Sequence, residues 1–223
     1  LIIGERSQIP VDVKSAFINA GVMHILAVSG LHVAIVAMIL LVLFSILRIP
    51  EKAAILLTLL LLGYYTFLTG AAASVTRSVI MAGIYLGGRM CERKSDMYNT
   101  LALSAIVILL IDAKQLFHPG FQLSFVAVFS LVYLYPKIYA IRTLLPARLT
   151  GNRAVTGALS AITVSVAAGI GTLPFTSIYF GKISLIGFCA NIVVVPLSNI
   201  ILGLGMLTVA VSYLSPWVAA VYA

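Results

Sequence analysis

The stretch that decides the fold is His24–Leu47, which reads HILAVSGLHVAIVAMILLVLFSIL. It contains no Asp, Glu, Lys or Arg, and a basic residue and a proline, Arg48 and Pro50, follow it. A helix that crosses a bilayer needs about 20 predominantly apolar residues, within a range of about 17–25. The length and composition of this stretch therefore predict a membrane-spanning helix.

The composition of the whole chain points the same way. Of the 223 residues, 62% are hydrophobic and 9% are charged, and the mean hydropathy is +1.16. An ordinary soluble domain has about 45–50% apolar and about 25% charged residues. Because a soluble core could not absorb this excess, lipid must surround most of the chain. The composition excludes a soluble enzyme, a soluble nucleic-acid-binding domain and a disordered tail.

Further apolar segments follow the first span. They are Ala53–Leu68, Arg77–Met90, Thr100–Ile111, Phe121–Tyr135, Ala154–Leu173 and Ser184–Leu214. Pro136 and Pro174 stand directly after two of these segments, and Pro196 divides the last, because proline removes a helix hydrogen bond and kinks the chain. The middle segments are short for a full crossing. We therefore predict an all-α fold, a polytopic transmembrane helix bundle with short, broken or re-entrant helices.

The ends of the chain indicate a fragment. It begins at Leu1 rather than Met and stops within an apolar stretch at Ala223. We expect residues 1–223 to form a single transmembrane domain of a longer protein. The polar, amphipathic residues 1–22 are expected to be an extracellular or interfacial lead-in to that domain.

The basic residues predict the orientation. The chain has 14 Lys and Arg against 6 Asp and Glu, a net charge of +8. In a membrane protein such an excess is read first as the positive-inside bias of cytoplasmic loops. Nine basic residues fall in the loops after the first, third and fifth spans, and five fall on the other side. This places the first set in the cytoplasm and residues 1–22 outside.

The run His24–His32 holds the least lipid-like residues of the first span. A histidine within an apolar membrane helix costs free energy of insertion, so a functional role is the first hypothesis for it. His24 and His32 lie about 12 Å apart along a regular helix, which is too far for both to ligate one metal. Ser29 and His32 are close enough to touch. Three interpretations stay open: Ser29 is a nucleophile activated by a histidine, Ser29 and Gly30 let another backbone approach closely, or the histidines are structural.

Arg77 follows a run of small residues that begins at Gly70. Small residues allow helices to approach closely, and no acidic residue is near Arg77 in sequence. An arginine that snorkels to the interface and a cation that faces an aqueous path for anions are both consistent with this position.

Other polar residues mark later helix ends. Gln122 and Ser124 come just after Pro119, where helix-start hydrogen bonds and pore lining both remain open. Asn191 is an amide close to Pro196, where freed carbonyls need partners. The candidate path residues are His24, Ser29, Gly30, His32, Arg77, Gln122, Ser124 and Asn191, with Pro174 and Pro196 as helix breaks. They fall at the outer ends of the helices, and we assign none to catalysis or to a metal.

Taken together, these runs resemble the ComEC family of DNA internalisation proteins, the polytopic channel of bacterial natural transformation. The matching pieces occur in the family's order and cover roughly residues 4–215, and His24–His32 is the strongest of them. They are Gly4–Ser7, Gly21, His24–His32, Tyr64–Arg77 with Met81, Pro119–Phe125 and Pro174–Pro196.

The resemblance implies a function that no single run of residues indicates. In this family one strand of incoming DNA passes inward while the other is degraded outside. A metallo-hydrolase-like domain often follows the membrane region, but residues 1–223 contain no His-x-His-x-Asp-His run. The resemblance therefore implies the channel part alone, which is not an enzyme and has no cofactor, as a multi-pass protein of the bacterial cytoplasmic membrane.

The resemblance also implies partners: single-stranded DNA, the lipid bilayer and other competence proteins, including a DNA receptor and a cytoplasmic motor. A separate motor or passive movement must give direction, because the sequence contains no Walker A run and no buried carboxylate relay. From the residues alone, a polytopic small-solute transporter and an intramembrane serine hydrolase remain the alternatives.

The orientation can be tested by cysteine labelling in a background without Cys91 and Cys189. We expect an impermeant thiol reagent added outside to label Lys182→Cys and to spare Arg148→Cys, because the two positions lie in loops on opposite sides. Labelling of Arg148→Cys with none at Lys182→Cys would reverse the assigned topology.

Overall fold

A computed structural model describes residues 30–92, 96–141 and 153–181, together with positions 194, 197, 200, 201, 203–205 and 208. Within the three continuous ranges the regular structure is helical, which confirms the predicted all-α class. One short 3-10 helix, Ala113–Phe117, accompanies six α-helices. These are α1 (Gly30–Ile46), α2 (Glu51–Leu68), α3 (Ala73–Met90), α4 (Met97–Ile111), α5 (Pro119–Ala140) and α6 (Arg153–Phe180).

Local sequence signals begin several of these helices. The Asp96 carboxylate accepts a hydrogen bond from the Tyr98 N–H at 2.9 Å and caps α4. Pro119 stands at the start of α5, where its missing N–H is not needed. His118 caps that helix, because its Nδ1 accepts from the Gly120 N–H at 3.2 Å. These caps satisfy backbone N–H groups that a helix start leaves without partners.

The helices pack around α3, which contacts α1, α2, α4 and α5. Buried side chains from three helices form an apolar cluster: Val33, Val36 and Ala37 of α1, Leu62 of α2 and Val75 of α3. α5 and α6 pair along their lengths and form the most extensive helix contact of the described chain. The position of α3 means that residues on its faces meet several neighbours at once.

The two ends of the bundle differ in chemistry. At the end where α2 begins and α3 stops, Arg89 bonds to Glu51, and the Lys52 Nζ lies 2.9 Å from a Glu92 carboxylate oxygen. We call this the ion-pair end. At the opposite end α2 stops and α1, α3 and α5 begin, so these three helices run parallel to one another and antiparallel to α2.

The described helices fit a membrane protein. Three are long and apolar enough to span a bilayer: α2, α5 and the part of α6 from Val155 to Tyr179. Two shorter apolar helices, His32–Ile46 and Met97–Ile111, accompany them. Large apolar side chains face outward, with Phe67 82% and Leu110 81% exposed. Lipid is the solvent that such surfaces require.

Several predicted helix ends are wrong. The predicted ends at Tyr135 and Leu173 fail because Pro136 and Pro174 lie inside α5 and α6, which continue to Ala140 and Phe180. A membrane helix tolerates an internal proline where neighbours re-satisfy the freed backbone group. The third span begins at Ala73, one turn before the predicted Arg77. The predicted break at Pro196 lies outside the described residues.

Close approach between α5 and α6 depends on Gly171. A Cβ atom added there would overlap the buried side chain of Ser130 and would stand 3.6 Å from the Val126 carbonyl oxygen. Small residues at such contacts let membrane helices pack closely. Gly157, on the same helix, has open space where its Cβ would stand, so the two glycines differ in what surrounds them.

We expect Gly171→Ala to lower the free energy of unfolding by about 1–3 kcal/mol, because the added methyl group overpacks the contact with Ser130. Unfolding of the purified full-length protein in detergent measures this, with Gly157→Ala as the matched control. Adding Ser130→Gly to Gly171→Ala should restore part of the loss. Equal effects of the two alanine variants would show that Gly171 does not set the distance between α5 and α6.

Candidate functional site

The first described candidate, Gly30, begins α1 against α3. A Cβ atom at Gly30 would stand 2.5 Å from the Ser78 Oγ, so glycine is the residue that fits there. The Ser78 Oγ in turn donates to the Ser74 carbonyl oxygen at 2.8 Å. The neighbour of Gly30 is thus a serine side chain, and the close approach of another backbone to Ser29 and Gly30 stays a prediction. His32 follows in the first turn of α1, where it is buried.

Arg77 is turned into the bundle rather than toward water, since its relative exposure is 7%. Its guanidinium points to the start of α5, where Nη2 lies 3.1 Å from the place that a Cβ at Gly120 would take. The buried Nε and Nη1 atoms have no hydrogen-bond partner among the residues that the structure describes. Arg77 is therefore an enclosed cation and not a snorkelling one.

Gln122 joins three elements at the same end. Its Nε2 donates to the Leu116 carbonyl oxygen at 2.8 Å, and its Oε1 accepts from the Tyr179 hydroxyl at 2.6 Å. The amide thus ties the start of α5 to the 3-10 helix and to the last turn of α6. Ser124 donates to the Phe121 carbonyl oxygen of its own helix at 3.0 Å, which accounts for its hydroxyl locally.

These positions come together at one end of the bundle, which we call the arginine end: Gly30 and His32 in α1, Arg77 and Ser78 in α3, His118, Gly120 and Gln122 at the start of α5, and Tyr179 in α6. Four helices contribute to it. The remaining candidates, His24, Ser29, Asn191 and Pro196, lie outside the described residues.

Sequence reasoning missed His118 as a contributor. It stands directly before Pro119-Gly120, and a polar residue before a helix-starting proline is a capping signal that could have identified it. Its Nδ1 would lie 3.2 Å from a Cβ at Gly120, on the same side as the Arg77 guanidinium. No sequence signal placed Ser78 opposite Gly30 or Tyr179 opposite Gln122, because both contacts join distant parts of the chain.

Arg77 places a full positive charge at the arginine end. The starts of α3 and α5 bring the positive ends of helix dipoles there, and the ends of α2 and α6 bring negative ones, so these dipoles offset one another. The nearby acidic residue, Asp112, is engaged in capping: it accepts from the Lys114 N–H at 3.1 Å and from Gln115 Nε2 at 3.0 Å. In the described ranges, no three His, Cys, Asp or Glu side chains come together as metal ligands would. The arrangement is suited to an anion.

A family model and two curated proteins match most of the chain. The family model described as "Competence protein" matches residues 1–223. The chain is 36% identical over 196 residues to ComE operon protein 3 of Bacillus subtilis (strain 168), covering 88% of this chain and 24% of that protein. It is 25% identical over 205 residues to the uncharacterized protein YcaI of Escherichia coli (strain K12), covering 89% and 26%. No solved structure matches.

The chain therefore spans about a quarter of the length of the curated relatives it matches.

The bond between Gln122 and Tyr179 can be measured by a double-mutant cycle. We expect Tyr179→Phe to destabilise the protein. The coupling free energy between Tyr179→Phe and Gln122→Leu should be about 0.5–1.5 kcal/mol, the usual contribution of a neutral hydrogen bond to stability. Tyr64→Phe, at an exposed position on α2, is the control for loss of a hydroxyl. Full additivity of the two substitutions would mean that the bond does not hold α6 against α5.

Proposed function

The chain belongs to the competence protein family, and we propose from this premise that it forms a passage for single-stranded DNA across the bacterial cytoplasmic membrane. In this proposal the protein is multi-pass, and its arginine end faces the outside, where the DNA arrives. Passage through the chain leaves the DNA chemically unchanged.

One observation carries the proposal. The described candidates Gly30, His32, Arg77 and Gln122, separated by as many as 92 positions in sequence, gather at one end of the bundle. None of the four acidic residues of the described ranges forms an ion pair with Arg77: Glu51 and Glu92 pair at the ion-pair end, and Asp96 and Asp112 cap helices. A polyanion that crosses a low-dielectric barrier needs cations and hydrogen-bond donors along its path, and the arginine end supplies them.

The same reasoning gives the partners. A passage has no preference for direction, so a receptor must deliver DNA outside and a cytoplasmic motor must pull the strand inward. Contacts with phosphate give binding that is independent of sequence, which suits a protein that takes up any DNA. The bilayer covers the exposed apolar faces of the helices.

The passage can be tested with strand-labelled DNA in a naturally transformable cell that carries the full-length protein. We expect Gly30→Leu to abolish most uptake, because the new side chain would meet Ser78 and push α1 from α3. Gly63→Leu, at a glycine with open space around it, is the matched control. Wild-type uptake by Gly30→Leu at normal membrane abundance would contradict the proposal.

A second variant separates the passage from the hydrolase alternative. Ser29→Ala keeps the side-chain volume close and removes a nucleophile, so a passage should keep transporting DNA with this change. Complete loss of uptake in a correctly inserted Ser29→Ala protein would favour a catalytic serine.

A further inference from the structure

We propose that Arg77 and the first turn of α5 form a binding site for a phosphate group, which in the working protein is a phosphodiester of the transported strand. The inference rests on the proposed function for the source of the phosphate, but the site itself is argued from charge and geometry alone.

The charge of Arg77 has no ion-pair partner among the residues that the structure describes. The side chain is 93% buried, and Nε and Nη1 carry three of the five guanidinium N–H groups. None of the three is bonded within the described part of the chain. Removing one partner of a buried ion pair is strongly destabilising because it leaves a charge uncompensated. A protein that keeps such a group ordinarily supplies a counter-ion, and here the counter-ion is absent from the described residues.

None of the acidic side chains of the described ranges forms an ion pair with Arg77. Glu51 bonds to Arg89 and Glu92 pairs with Lys52, both at the far end of α3. Asp96 and Asp112 accept hydrogen bonds from the helix starts that they cap. The compensating anion for Arg77 therefore comes from outside these residues.

The second argument is the place at which the guanidinium is held. Its Nη2 lies against Gly120 in the first turn of α5, a helix of 22 residues. A helix start has a partial positive charge, so a cation packed against it is repelled unless an anion shares the space. Anions bind at helix starts for the same reason. Gly120 permits this close contact, because a Cβ there would be 3.1 Å from Arg77 Nη2 and 3.2 Å from His118 Nδ1.

The chemistry of the donors identifies the ligand class. A guanidinium presents planar N–H donors that match phosphate oxygens and binds them with charge-assisted hydrogen bonds. The Gly120 N–H makes only a 3.2 Å bond to His118 Nδ1, and it can turn to a stronger acceptor. The phosphate could belong to a nucleic acid, to free inorganic phosphate or to a lipid headgroup. Because the proposed passage brings the strand to the arginine end, we assign the strand phosphodiester.

The first experiment measures stability with and without phosphate. The full-length protein is placed in nanodiscs of zwitterionic lipid, and its Tm is followed as inorganic phosphate replaces chloride at constant ionic strength. We expect the wild-type Tm to rise with phosphate. Arg77→Met should have an equal or higher Tm without phosphate, because an uncompensated charge is gone, and should not respond to phosphate. Arg89→Met, which removes an exposed, paired arginine of the same helix, should retain the response.

The outcomes of this experiment separate a ligand site from a structural role. A lower Tm of Arg77→Met in chloride would mean that Arg77 has a partner within the protein, such as Glu5 or Asp12, and would overturn the proposal. A phosphate response that survives in Arg77→Met would overturn it as well.

The second experiment identifies the source of the phosphate. One arm measures the binding of a fluorescent oligo-dT to the protein in the same zwitterionic nanodiscs. The other arm measures the Tm of the protein in nanodiscs that contain phosphatidylglycerol. We expect Arg77→Gln to weaken oligo-dT binding about tenfold or more and to reduce the slope of log K against log salt by about 0.7, the value for one single-strand phosphate contact. Arg77→Lys should keep more affinity, since it retains a point charge.

Gly120→Ala tests the geometry with Arg77 intact. Its methyl group should displace the guanidinium and weaken oligo-dT binding, whereas Gly83→Ala, in open space on α3, should not. Wild-type affinity in both Arg77→Gln and Gly120→Ala would overturn the site. A response to phosphatidylglycerol that depends on Arg77, without oligo-dT binding, would overturn the assignment to DNA.

These results stay distinct from the test of the passage. If Arg77→Gln binds oligo-dT as the wild type does while Gly30→Leu still blocks uptake, the phosphate site is wrong and the passage stands. If phosphate binding depends on Arg77 but uptake is insensitive to Gly30→Leu, the site stands and the passage is wrong.

Discussion

Polar groups on these helices must find partners where no water is present, and most side-chain contacts in the protein follow from this constraint. Helix formation satisfies the backbone. Buried hydroxyls then bond to carbonyl oxygens four residues earlier on their own helix, as Thr58, Ser104 and Thr163 do. The charged residues at the ion-pair end neutralise one another. A buried polar group without such a partner therefore marks a candidate functional position.

Arg77 departs from this pattern of bonding, and the position of α3 explains how. This helix is less apolar than its neighbours and has four of them around it. Glycines on α1 and α5 let those helices approach it closely, with Gly30 against Ser78 and Gly120 against Arg77. The guanidinium is buried in the same region, against Gly120. The stability of the bundle and the enclosure of its cation have a common structural cause.

The helix ends show that the rule by which proline ends a helix does not hold for these membrane helices. Pro136 and Pro174 predicted ends for the fifth and sixth spans, but both helices continue for one turn or more beyond them. Proline disfavours a helix interior through one lost hydrogen bond and a local clash, whereas ending the helix would leave several backbone groups unpaired. Gln122 shows the same limit for a side chain. Its position allowed pore lining or helix-start bonding, and its amide bonds to Leu116 and Tyr179, which are distant in sequence or on another element.

The sequence by itself determined that lipid surrounds the chain, that the fold is helical and which segments form the helices. The physical reason is that the length of an apolar segment must match the thickness of the bilayer. It also named Gly30, His32, Arg77 and Gln122 as the residues that lipid does not explain. Only the tertiary structure decided which of them meet and that Ser78, His118, Gly120 and Tyr179 complete the region. It also decided that Arg77 is enclosed, with Nε and Nη1 unpaired among the described residues. The physical reason is that these facts depend on distances between helices, and such distances are set by the fit of small side chains between surfaces far apart in the chain.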